Sequence, residues 1–142
     1  MYRKILVALE CEPADRNLLD HVTMLARQMH SELLLLHVAD GYAARHFHQL
    51  ALAESDEMKA DRAYLEAAAT RLRACGLTVH TQLALGEPPK EILKVAAAGR
   101  FDLIAMGSHG HRFFGDLFHG STIREVRHKT TIPVLLVRGE KS

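Results

Sequence analysis

Cysteine is scarce in this sequence, and the two that occur, Cys11 and Cys75, lie far apart. They form neither a CxxC motif nor the closely spaced set of a disulfide framework. An excess of charge of one sign is also lacking, since 18 basic and 17 acidic residues give a formal net charge of +1. That balance argues against a nucleic-acid-binding surface and against an acidic interaction tail. The cysteine usage favours a reduced compartment.

Long apolar runs are missing as well. Stretches such as residues 33–36 are far shorter than the ~18 apolar residues of a membrane span. Residues 1–9 lack the apolar length and the small-residue cleavage site of a signal peptide. We therefore expect a cytoplasmic protein with no membrane insertion. With 48% hydrophobic and 25% charged residues, we expect one compact domain over residues 1–142.

Short apolar runs alternate with longer stretches of helical periodicity. Strands are predicted at residues 5–9, 33–38, 77–85, 102–106 and 132–137, and helices at 15–29, 58–75, 88–98 and 122–129. Residues 42–57 show no clean period and fit either a loop or an irregular helix start. The alternation predicts a parallel α/β sheet with helices on both faces. Ligands of such sheets bind beyond the carboxyl ends of the strands, where the strand order reverses.

Glycines cluster after the fourth predicted strand, at positions 107, 110, 115 and 120. Glycine adopts positive φ angles and lets a ligand approach the backbone closely. Ser121 and Thr122 then begin the next predicted helix, whose N-terminal N–H groups suit an anion. From the glycines alone, an anion-binding loop and a flexible connector are equally supported.

Several catalytic and nucleotide-binding motifs are absent. The sequence has no GxxxxGK[ST] loop, no GxGxxG after the first strand, no HExxH and no GxSxG. These absences exclude a P-loop NTPase, a dinucleotide-binding fingerprint, a zincin-type metalloprotease and an α/β-hydrolase nucleophile elbow.

The ten histidines raise the question of a metal site. A structural zinc site needs converging ligands at short spacings, usually with cysteine. No such cluster is visible in the sequence, so we predict no protein metal site. Cys11 is expected to be an ordinary buried thiol.

The glycine segment resembles the nucleotide-binding pattern of the universal stress protein family. That pattern is glycine, two residues, glycine, nine residues, glycine and Ser/Thr, and it is matched by Gly107, Gly110, Gly120 and Ser121. The flanks are similar too: MYRKILVAL at the start, LLHV in the second strand, DLIAMGSHG at 102–110 and IPVLLVR at 132–138. The resemblance extends over residues 2–138.

The resemblance implies a three-layer sandwich around a five-stranded parallel sheet of order 3-2-1-4-5, similar to adenine nucleotide α-hydrolases. It also implies membership of the ATP-binding subgroup. The implied ligand contacts are Gly107, His109 and Gly110 for ribose and phosphates, Gly120, Ser121 and Thr122 for phosphates, and Ala8, Leu9, Glu10, Val38 and Met106 around the adenosine. Glu10 stands where these proteins usually have Asp, and its carboxylate can accept a hydrogen bond from ribose or adenine.

The resulting expectation is a stress-response or signalling protein that binds ATP, ADP or AMP, with Mg²⁺ held mainly by the phosphates. Its nucleotide state would alter an interaction with a partner protein not identified by the sequence. A homodimer is expected through the last strand, from Ile132 to Val137. No catalytic residue is assigned, because only Glu10 and His109 are candidate bases, and at most slow ATP hydrolysis is expected. The alternative is a dimeric interaction module of the same fold that binds no nucleotide.

Overall fold

The computed structural model describes residues 1–39, 56–108 and 120–139. The strands within these ranges are β1 (Lys4–Ala8), β2 (Glu32–Ala39), β3 (Thr78–Leu85), β4 (Leu103–Ser108) and β5 (Val134–Arg138). The helices are α1 (Asp15–Met29), α2 (Asp56–Ala74), α3 (Pro88–Ala98) and α4 (Gly120–Lys129). Each predicted strand and helix is present. Most of the undecided segment 42–57 lies outside the described residues, and α2 begins near its end.

The strands form one parallel sheet in the order β3-β2-β1-β4-β5, which confirms the predicted fold. β1 lies in the centre, between β2 and β4. The chain winds outward from β1 in one direction through β2 and β3, and in the other through β4 and β5. The strand order therefore reverses beside β1, and the crevice between the carboxyl ends of β1 and β4 is where such a sheet binds ligands.

Alternate side chains of β1 enter two separate hydrophobic cores. Ile5, Val7 and Leu9 pack into the core beneath α1 and α2, whereas Leu6 and Ala8 pack into the core beneath α3 and α4. All five side chains are buried. The first core, called the α1–α2 core below, also contains the buried helix residues Leu18, Val22, Leu65 and Leu72. The second, called the α3–α4 core, contains the buried helix residues Ile92, Ala96 and Val126. Burial on both faces explains why β1 is apolar from Ile5 to its end.

The amino ends of β1 and β4 are tied together by Asp102. Its carboxylate accepts hydrogen bonds from the N–H groups of Arg3, at 2.9 Å, and Lys4, at 3.1 Å. The N–H of Asp102 donates in return to the Lys4 carbonyl, at 3.0 Å. These bonds fix the register of the two central strands, and so fix the relative positions of their carboxyl ends.

The boundaries of β4 and α4 differ from the prediction. Gly107 and Ser108, expected to begin the loop, continue β4, because they pair with Val137 and Arg138 of β5. The Gly139 N–H extends this pairing to the Ser108 carbonyl, at 2.9 Å. α4 begins at Gly120 rather than at Thr122. No helix in the described ranges is long and apolar enough to cross a membrane.

Candidate functional site

Three of the residues predicted to contact adenosine share one face of the sheet. Ala8, Val38 and Met106 belong to β1, β2 and β4, and all three side chains lie in the α3–α4 core. Ala8 pairs directly with Met106 across the central strands. They are at most 1% exposed. The structure therefore brings these apolar side chains together near the carboxyl ends of the central strands.

Leu9 lies on the opposite side of the sheet from these residues. Its side chain packs in the α1–α2 core, because successive residues of a strand face opposite ways. Its N–H donates to the Leu36 carbonyl at 2.7 Å, and its carbonyl is 2.7 Å from Nδ1 of His37. Leu9 therefore shares no face with Ala8, Val38 and Met106, and both its backbone polar groups are bonded within the protein.

The predicted phosphate contacts lie in the first turn of α4. Gly120 and Ser121 are exposed, and Thr122 is buried, at 6% exposure. The first N–H groups of a helix have no partner within the helix, and they carry the positive end of its dipole. No acidic side chain occupies this turn of α4. The first turn of α4 therefore suits an anion.

Among the described residues, none requires position 120 to be glycine. It is helical, its φ angle is not positive, and an added Cβ would meet no described atom within 4 Å. Gly76, by contrast, has a φ of +89°, which glycine adopts without strain. Gly107 is buried within β4. His109 and Gly110, which complete the predicted set, lie outside the described residues.

The turn after β1 is held by Asp15, the first residue of α1. Asp15 Oδ1 accepts the Glu10 N–H at 3.0 Å, and Asp15 Oδ2 accepts the N–H groups of Cys11 at 2.9 Å and Glu12 at 3.3 Å. The Tyr64 hydroxyl of α2 donates to the same Oδ2 at 2.9 Å. This arrangement also holds Cys11 in a left-handed conformation, with a φ of +61°. Asp15 therefore positions Glu10, which is 5% exposed, at the carboxyl end of β1.

Burial dominates the electrostatics of this turn. It raises the pKa of Asp15, and the donated hydrogen bonds only partly offset that effect. It also raises the pKa of the Tyr64 hydroxyl, with the Asp15 carboxylate acting in the same direction. Tyr64 therefore remains a protonated donor to Asp15 throughout the physiological range.

A second cluster of polar side chains lies on the α1–α2 side of the same edge. The Cys11 thiol, the His37 imidazole and the Asp61 carboxylate each place a polar atom within 4.8 Å of the others. His37 Nε2 is 3.4 Å from Asp61 Oδ2, and the two side chains are 4% and 17% exposed. This cluster is not predictable from sequence spacing, because its members come from the turn after β1, from β2 and from α2. The one sequence feature that points to this cluster is His37, a polar residue inside an otherwise apolar stretch of the buried strand β2.

A groove with a volume of about 820 Å³ lies on the α1–α2 side of the molecule. Pro13, Arg16, Met24 and Arg71 are among its lining residues. None of the predicted nucleotide contacts within the described ranges lines it. This groove is distinct from the candidate site. It lies on the helices, whereas ligands of such a sheet bind beyond the carboxyl ends of the strands, where the strand order reverses.

Comparisons with known proteins agree with this fold. Residues 1–138 match the model of the universal stress protein family. The chain belongs to this family. Universal stress protein YxiE of Bacillus subtilis is 30% identical over 150 residues, an alignment that covers 97% of this chain and 100% of YxiE.

Two solved structures of the family are similar to this one. That of MJ0577, a universal stress protein of Methanocaldococcus jannaschii, has a TM-score of 0.81 and 30% identity, covering 100% of this chain and 99% of that one. A universal stress protein of Archaeoglobus fulgidus in complex with dAMP has a TM-score of 0.70 and 22% identity, covering 95% and 97% of the two chains. At that identity the second likeness establishes a shared fold.

Proposed function

We propose that this universal stress protein binds an adenine nucleotide, ATP or AMP, beyond the carboxyl ends of β1 and β4. The observation that carries the proposal is Gly120. It follows the spacing of the family's nucleotide motif, yet the described surroundings would accept a side chain there. A ligand that approaches the backbone closely would account for glycine at this position.

In this arrangement the phosphates lie against the first turn of α4, at Gly120, Ser121 and Thr122. Gly107, His109 and Gly110 contact the ribose and the phosphates from the other side. The exposed Ser121 hydroxyl and the backbone N–H groups supply neutral donors, and the helix dipole supplies the favourable field.

The base lies toward the apolar face formed by Ala8, Val38 and Met106, where Val38 contacts adenine through its backbone. The Glu10 carboxylate accepts a hydrogen bond from ribose or adenine. Leu9 contributes only by fixing the end of β1, because its side chain belongs to the α1–α2 core. The nucleotide complex of the Archaeoglobus fulgidus relative, which has the same fold, supports the proposal.

Mg²⁺ would be bound chiefly by the phosphates, since it prefers oxygen ligands and retains several waters. We propose a binding role with at most slow hydrolysis. Glu10 and His109 are the candidate bases, and the site contains no phosphate-binding lysine of the P-loop kind. The nucleotide state would then change an interaction with a partner protein in the cytoplasm.

Isothermal titration of nucleotide-stripped protein with ATP, ADP and AMP in the presence of Mg²⁺ tests this proposal. We expect saturable binding with one nucleotide per chain, and no comparable heat with GTP, because the pocket contacts the base edge. Absence of binding at high micromolar ATP would favour the alternative, a dimeric interaction module that does not bind nucleotide.

We further propose that β5 forms a homodimer by pairing with β5 of a second copy. β5 is at the edge of the sheet, and Leu136, at its centre, is 40% exposed. The Pro133 carbonyl accepts the Ile104 N–H at 3.0 Å, so position 133 faces β4. Backbone groups alternate along a strand, so those of Leu136 face outward. An edge with outward N–H and carbonyl groups is suited to pairing with a symmetry-related strand.

Leu136→Pro removes the outward N–H without removing a hydrogen bond to β4. We expect this variant to sediment as a monomer at micromolar concentration, where the unchanged protein sediments as a dimer. Leu136→Ala is the matched control, because it shortens the side chain and keeps the N–H. A wild-type monomer, or a dimer of the Leu136→Pro variant equal in strength to the wild type, contradicts pairing through β5.

A further inference from the structure

We propose that Cys11, His37 and Asp61 form a binding site for a divalent transition-metal ion of the zinc type. The site lies on the α1–α2 side of the sheet edge, and its ligands share no residue with the proposed nucleotide contacts. Thiolate, imidazole and carboxylate are the three ligand types that zinc uses in proteins. Three protein ligands leave a fourth coordination position for water or a solute.

The separation of the ligand atoms fits this ion. Zinc lies about 2.0–2.2 Å from nitrogen and oxygen ligands, so tetrahedral geometry places such ligands roughly 3.3–3.5 Å apart. The distance from His37 Nε2 to Asp61 Oδ2 is 3.4 Å. The Cys11 sulfur lies within 4.8 Å of both partners, so a shift of no more than about 1 Å brings it to the ~3.6 Å that the longer zinc–sulfur bond sets.

The hydrogen bond of His37 prepares Nε2 as a ligand. Nδ1 lies 2.7 Å from the Leu9 carbonyl oxygen. A carbonyl only accepts, so Nδ1 carries the proton and Nε2 is the nitrogen directed at Asp61. Metal-binding histidines commonly donate their second N–H to a backbone carbonyl in this way, which fixes the tautomer and the ring orientation. The ring is also immobilised by burial, at 3% exposure.

The surrounding charge favours a cation. Burial raises the pKa of the Cys11 thiol, and the Asp61, Asp15 and Glu12 carboxylates raise it further. Burial raises the pKa of Asp61 as well, and Glu57 adds to this effect. A bound divalent cation would lower the pKa values of both groups, because it stabilises the thiolate and the carboxylate directly.

The same geometry argues against a nucleophilic cysteine. A Cys–His–Asp relay needs the thiol at one imidazole nitrogen and the carboxylate at the other. Here Nδ1 is bonded to the Leu9 carbonyl, so the thiol and Asp61 would both have to use Nε2. Three ligand atoms within 4.8 Å of one another suit a metal site better than a proton relay.

Titration of the metal-free, nucleotide-free protein with Co²⁺ tests the proposal, because cobalt substitutes for zinc and reports its ligands spectroscopically. We expect one cobalt per chain, visible d–d bands of tetrahedral coordination, and a near-ultraviolet charge-transfer band from the thiolate. Zn²⁺ should displace the cobalt and abolish the spectrum.

Cys11→Ser is expected to lose the charge-transfer band and at least about 100-fold in zinc affinity, since it removes a direct ligand. Cys75→Ser is the matched control, because Cys75 is exposed and belongs to no such cluster among the described residues. If Cys11→Ser folds poorly, Asp61→Asn, at a partly exposed position of α2, should weaken zinc binding at least about 10-fold. Absence of a charge-transfer band in the wild type overturns the proposal. So does a zinc affinity of the Cys11→Ser and Asp61→Asn variants that equals that of the wild type.

Discussion

Gly120→Val is expected to lower the affinity for ATP at least about 10-fold, or about 1.4 kcal/mol. The added side chain projects from the first turn of α4 into the space proposed for the phosphates, and it separates them from the backbone donors there. The fold should not change. Valine is no worse than glycine in a helix, and no described atom lies within 4 Å of the new Cβ.

Gly76→Ala is the matched control for this variant. Gly76 ends the turn after α2 with a φ of +89°, in open space. Alanine there should lower the free energy of unfolding by about 1–2 kcal/mol through backbone strain. Its ATP affinity should equal that of the wild type. Calorimetry and chemical denaturation on both variants separate ligand contact from stability. An unchanged ATP affinity in Gly120→Val would show that the phosphates lie elsewhere.

Asp15→Ala is expected to lower the free energy of unfolding by about 3 kcal/mol, because it leaves several donors without an acceptor. The N–H groups of Glu10, Cys11 and Glu12 all donate to this carboxylate, as does the Tyr64 hydroxyl. Cys11 and Glu12 are partly exposed, so water can replace some of these hydrogen bonds in the variant. The loss of free energy of unfolding is therefore smaller than the sum of the separate hydrogen-bond contributions. Urea denaturation measures the difference.

Asp20→Ala supplies the comparison on the same helix. Asp20 is exposed, and its removal should change the free energy of unfolding by less than about 0.5 kcal/mol. The Asp15→Ala variant should also bind ATP more weakly where it remains folded, because Glu10 is no longer held at the end of β1. Equal stability of the two variants would show that Asp15 does not hold this turn.

The elements of the sheet were predictable because their patterns are local. β1 is apolar from Ile5 to Ala8, since both of its faces are covered there, and β3 alternates, since it is an edge strand. The order of the strands in the sheet, by contrast, does not follow from local sequence patterns. Parallel strands joined by helical connections of similar length can be arranged in several ways, and the expected order came from the family resemblance.

The candidate site was predictable only in part, for the same reason. Gly107, Gly120 and Ser121 belong to one short motif whose spacing is visible in the sequence. A motif does not record which way a strand residue faces, so the sequence could not show that the Leu9 side chain joins the α1–α2 core. Cys11 and His37 appeared unrelated until the parallel pairing of β1 and β2 placed the ends of both strands at one edge.

The central claim is that an adenine nucleotide binds with its phosphates at the start of α4. A crystal structure of the protein with ATP and Mg²⁺ tests it most directly. We expect phosphate oxygens within hydrogen-bonding distance of the backbone N–H groups of Ser121 and Thr122, with adenine toward Ala8, Val38 and Met106. A nucleotide bound instead in the groove on the α1–α2 side, beside Arg16 and Arg71, would contradict it.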